Sequence, residues 1–98
     1  MITGAQIRAA RALIRWSASK LAKQAVVSLP TIQRMEREDG IPSAYTKNLD
    51  SVQKTLEQAG VEFIPENGSG DGVRFREPLR KRVQGREPRP RKPRPAAS

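Results

Sequence analysis

Three hydroxyl residues, Thr3, Ser17 and Ser28, divide the first part of the chain into stretches of roughly ten residues, each carrying apolar groups at helical spacing. A side-chain oxygen that accepts a backbone N–H marks a helix start, so this region is committed to several short helices rather than one long one. Short helices are marginal alone, and each must bury its apolar stripe against the others. Thr3 followed by Gln6 has capping-box form and opens a helix over residues 4–14, with Ile7, Ala10 and Ile14 on one stripe. Ser17 can cap a second helix carrying Leu21, Ala22 and Ala25. Ser28 can cap a third carrying Ile32 and Met35, with Pro30 in its first turn, where a missing N–H costs little.

Gly40, Pro42 and Ser43 close this unit. Leu49, Val52, Leu56 and Ala59 then place one apolar stripe on a longer helix that stops at Gly60. Val61 and Phe63, then Val73 and Phe75, alternate with period two on either side of the glycine-rich stretch 67–72, which predicts a two-stranded hairpin. From residue 77 the chain reads EPLRKRVQGREPRPRKPRPAAS, with too few apolar groups to offset the entropy of ordering. The expected organisation is a helical domain over 1–60, a β-hairpin extension over 61–76 and a disordered basic Pro/Arg-rich tail over 77–98.

Composition narrows the function. A chain of 98 residues with such a tail leaves little core for a substrate cleft. It has no cysteine and no histidine, which removes thiolate nucleophiles, the commonest general base and most transition-metal ligands. The acids before residue 77 show no spacing of a paired acid/base site, so no enzymatic activity, metal or cofactor is expected. The net charge of +9 favours a polyanionic partner. Residues 77–98 hold eight bases and two acids, or +6, leaving 11 bases and eight acids, or +3, in the body. No apolar run reaches membrane-spanning length, and the arginine-interrupted start is unlike a signal peptide, so a cytoplasmic location is expected. No sequence signal points to a small-molecule effector.

Two short helices joined by a tight turn read DNA when they cross closely and leave the second free to enter the major groove. Ala22 is small where the pair would approach, and Leu21, Ala25, Val27, Ile32 and Met35 supply the apolar seam. The outward positions of the third helix are then Leu29, Thr31, Gln33, Arg34 and Arg37. The run IRAARALIRWSASKLAKQAVVSLPTIQRMER resembles the Cro and phage-repressor helix-turn-helix family, also called the XRE family. Ser17, Leu21, Ala22, Val27, Ser28, Thr31, Ile32, Met35 and Glu36 stand at its pattern positions.

The resemblance implies a mainly α, lambda-repressor-like domain that binds double-stranded DNA as a transcriptional regulator, with repression as the default. It implies that Ser28 to Arg34 form the recognition helix and its entry, with Thr31 and Arg34 at base edges, Ser28 near a phosphate, and Arg11 paired with Glu36. The sequence departs from the pattern at the turn, where Val26 replaces a frequent glycine, and strain or a different turn shape is expected there. It also departs at Ala18 and Arg15, so that one neutral phosphate contact of a family glutamine is lost, which Arg15, Ser19 or Lys20 can replace electrostatically. Trp16 is expected as a core lid. A homodimer is expected from the gain of reading two half-sites, with the hairpin either at the dimer contact or folded back on its own helices. The departures leave a protein-interaction module, such as an antiactivator or antitoxin, or an architectural or excision factor, as the alternative uses of the same fold.

Overall fold

The computed structural model describes residues 1–79. Within it every hydroxyl cap is made. Thr3 Oγ1 accepts the Gln6 amide at 3.0 Å while Gln6 Oε1 accepts the Thr3 amide at 2.9 Å, which completes the capping box of α1 (Gly4–Ile14). Ser17 Oγ accepts the Lys20 amide at 3.0 Å and starts α2 (Ala18–Ala25). Ser28 Oγ accepts the Thr31 amide at 3.3 Å and starts α3 (Leu29–Arg37). The fourth helix, α4 (Thr46–Gln58), begins after Tyr45 with no side-chain cap and is followed by Gly60 at φ +107°, the left-handed residue expected there.

Both α1 and α2 end in a left-handed residue that is not glycine, Arg15 at φ 59° and Val26 at φ 56°. In each case the next amide reaches back into the helix, Trp16 N to Arg11 O and Val27 N to Ala22 O, both at 3.0 Å. These bonds close the helix and hold the left-handed turn. The strain expected at Val26 is therefore present, beneath a β-branched side chain that favours negative φ.

The core gathers one stripe from each helix. Ile7, Ala10, Leu21, Ala22, Ala25, Ile32, Met35, Leu49, Val52, Leu56 and Val61 are buried, with Val27 and Trp16 half-buried against them. Full burial of each large aliphatic side chain is worth about 1.5 to 3 kcal/mol. A Cβ at Gly4 would fall inside contact distance of the Met35 and Glu38 carbonyl oxygens, so glycine lets α1 start directly against the end of α3. Across the same seam Arg11 Nε and Nη2 donate to the two oxygens of Glu36 at 2.7 and 2.8 Å, and Arg11 Nη1 donates to Trp16 O at 3.0 Å. Arg8 adds bonds to Glu36 O and to Asp39. The Arg11–Glu36 pair implied by the family resemblance thus ties α1 to α3.

After α4 the chain forms β1 (Val61–Ile64) and β2 (Gly72–Phe75), paired antiparallel with Val61 opposite Phe75 and Ile64 opposite Gly72. The hairpin lies on its own α1 and α4, with Val61 buried and Phe63 and Val73 half-buried against the core. Gln6 Nε2 donates to Ile64 O at 3.2 Å and to Gly72 O at 2.9 Å, clipping the loop end of the hairpin to the first turn of α1. Of the two placements open to the hairpin, its apolar face takes the one on its own helices. The architecture is mainly α with a C-terminal β-hairpin. Among the described residues no helix is long and apolar enough to cross a membrane. Most of the 77–98 tail, residues 80–98, lies outside the described residues.

Candidate nucleic-acid interface

The geometry of α3 follows from which of its faces is locked. Successive residues are rotated by about 100°. Ile32, Met35 and Glu36 fall on one side, where they are buried, and Pro30, Gln33, Arg34 and Arg37 fall on the other, where they are exposed. Thr31 and Leu29 sit at the two boundaries, and both are half-buried. Leu29 therefore departs from the outward position expected of it: its side chain packs against the core, since it lies next to Glu36 and Ile32 around the helix. The sequence places Leu29 in the polar half by order alone, and the helical rotation moves it to the margin.

Ser28, Thr31 and Arg34 form one connected polar row. Ser28 Oγ and Thr31 Oγ1 are 2.8 Å apart, and Arg34 Nη2 donates to Thr31 Oγ1 at 3.3 Å. Gln33 and Arg37 extend beside this row into solvent. On α2, Ser19 and Lys20 are exposed, and Lys20 Nζ lies 5.1 Å from the Trp16 ring centroid. Trp16 thus covers the core with one side of its body and holds a lysine over its ring by a cation–π contact.

The charge of the helix pair is one-sided. Glu36 is the acid among residues 18–37, and it is buried and neutralised by Arg11. The hydrogen bond that Arg11 donates to Glu36, reinforced by the carboxylate charge, raises the Arg11 pKa above its ordinary value against the opposing effect of burial. The remaining charged groups of α2 and α3, Lys20, Lys23, Arg34 and Arg37, are exposed, and none is in an ion pair among the described residues. Such a surface offers N–H donors and positive charge, with the exposed Glu38 carboxylate at the far end of α3, which suits phosphate oxygens and the O6/N7 edge of guanine.

The sequence reading missed a second group of residues beside this row. Ser43, Ala44, Tyr45 and Asn48 border an open pocket of about 440 Å³ together with Thr31, Arg34 and Met35. Tyr45 is 81% exposed, an unusual position for the chain's one tyrosine. The signal available in the sequence was an aromatic residue between the turn at 40–43 and the next helix, but nothing there says that the loop returns to the outer face of α3. No family model and no curated protein matches the chain.

Proposed function

We propose that this protein is a sequence-specific DNA-binding transcriptional regulator that reads operator DNA in the major groove with α3. The observation that carries the reading is the pairing of a locked face with an exposed basic one: α3 is anchored through Ile32, Met35 and Glu36, and it leaves Gln33, Arg34 and Arg37 exposed after the Ser28 cap, with Lys20 and Lys23 exposed on α2. A helix so anchored meets a duplex as a rigid element, which keeps the ordering cost of binding low. In this reading Arg34 donates two hydrogen bonds to a guanine edge, while Ser28, Ser19, Lys20 and Arg37 contact the backbone. Two copies on a two-fold site would double the contacts, and the protein would act in the cytoplasm at the nucleoid, by occluding or contacting polymerase.

Selection of duplexes from a random pool, followed by Arg34→Ala, tests the reading. Specific affinity should fall by about 1 to 3 kcal/mol and preference should relax at one base pair. Failure of the unaltered protein to enrich any sequence would overturn it.

One observation favours a second reading, a protein-interaction module on the same fold. Val26 projects an apolar side chain that is 89% exposed from a strained turn next to α3. Co-purification of a defined protein that is abolished by Val26→Asp, together with duplex binding that depends on salt and not on sequence, would select it.

A further inference from the structure

Arg34 carries five N–H donors and no acceptor, so the direction of its bond to Thr31 is determined. Thr31 Oγ1 accepts from Arg34 Nη2 at 3.3 Å, and a second hydrogen bond, in which either hydroxyl can donate, joins it to Ser28 Oγ at 2.8 Å. Ser28 Oγ also accepts the Thr31 amide at 3.3 Å. Ser28 is exposed, at the helix start. The row thus links Arg34 through Thr31 to the Ser28 hydroxyl at the helix start.

Thr31 is suited to hold this chain because it does not move freely. It is half-buried at the margin of the core, β-branched, and fixed through both its amide and its hydroxyl to Ser28. Arg34, by contrast, is exposed and borders an open pocket into which a long side chain can swing. The bond to Thr31 is the hydrogen bond that restrains its guanidinium among the described residues. One of five donors is spent on that bond, and four remain for a ligand, enough for a two-bond contact to guanine O6 and N7.

We infer that Thr31 is a positioning residue for base reading: it presets the Arg34 guanidinium toward a guanine edge and does not itself contact a base, while Ser28 braces Thr31 from the helix start. This inference rests on the DNA-binding reading above and changes the role that the family resemblance implies for Thr31. Preorganisation of this kind sharpens discrimination more than total affinity, because a mispointed arginine still attracts any phosphate.

The test compares the full chain with Thr31→Val, Thr31→Ser and Arg34→Ala on three duplexes: the selected one, the same duplex changed at the base pair that Arg34→Ala relaxes, and a random one. Thr31→Val keeps the size and branching of the side chain and removes the acceptor. It should lose about fivefold of the discrimination at that base pair, the worth of one hydrogen bond, with binding to the random duplex within about twofold of wild type. Thr31→Ser should retain the discrimination. In the DNA-free protein, the Arg34 guanidinium nitrogen signals should show slowed rotation in wild type and Thr31→Ser but not in Thr31→Val. Unaltered discrimination in Thr31→Val, an equal weakening on all three duplexes, or identical guanidinium signals in all variants would each overturn the inference. Equal binding of all three duplexes by wild type, with guanidinium signals that still respond to Thr31→Val, would instead locate the failure in the DNA-binding reading. Far-ultraviolet circular dichroism on each variant confirms that the helices are intact.

Discussion

Val26 holds a left-handed backbone, φ 56° and ψ 48°, under a side chain that is almost wholly exposed. The conformation is penalised and nothing is gained by packing, so the strain is uncompensated at this residue. Val26→Gly should raise stability by about 1 kcal/mol even after the entropic cost of glycine, moving the thermal midpoint up by several degrees in a chain of this size. Val26→Ala, which keeps a Cβ, should recover little of that gain, and a lowered midpoint in Val26→Gly would refute the argument. At Glu36 the sign is reversed. Glu36→Ala leaves the Arg11 guanidinium, whose side chain is 24% exposed, without its carboxylate between two helices. The expected loss is about 2 to 3 kcal/mol in urea unfolding, below the range for a fully buried pair because Arg11 keeps some contact with water. The strain at Val26 was legible in the sequence because residue type alone carries the conformational penalty. The bond from Arg34 to Thr31 was not, because it depends on a rotamer, and a sequence records no side-chain direction.

Elements in this chain are set by their ends. Hydroxyl caps are short-range, reaching three residues along the chain, and for that reason the starts of α1, α2 and α3 were readable to the residue. Ser28→Ala should cost about 1 kcal/mol and should fray the start of α3, visible as faster amide exchange at residues 29–31. The hairpin strands were legible from alternation, but their placement was not. Gln6, read as part of a cap, also reaches acceptors 58 and 66 residues away, and no local pattern encodes a partner at that separation. Gln6→Ala removes the box and the clip together. It should destabilise by about 1 to 3 kcal/mol, and exchange should accelerate across 61–75 more than across α2. On the outer face of the hairpin, the hydrogen bond from Arg74, aided by its charge and that of Arg76, holds the Glu62 carboxyl below its ordinary pKa. A lowered carboxylate pKa contributes stability above the unfolded-state value and loses it as pH falls through the folded-state value. The difference in thermal midpoint between wild type and Glu62→Gln should therefore be present at neutral pH and shrink through the acid range.

At the scale of the whole molecule, charge is distributed unevenly in two ways. The helix pair α2–α3 is basic, and the sequence from residue 77 onward adds a further +6. In the proposed function the first contributes specificity and the second contributes counterion release. Deleting residues 77–98 should flatten the plot of log affinity against log salt, by about 0.9 for each phosphate that the segment neutralises, with base preference retained. An unchanged slope would make that segment a bystander. Most of the fold was legible because short helices leave few ways to share one core. The outer surface was less so: the return of Tyr45 and Asn48 to the flank of α3 is a property of the loop path and not of any residue pattern. The Gln6 clip has one further consequence, in time rather than in space. Both of its carbonyl acceptors come from the hairpin, and the later one is at Gly72. During synthesis the carboxamide nitrogen therefore has neither partner while the residues of all four helices emerge, and the amino-terminal turn gains these two bonds only once the second strand has been made.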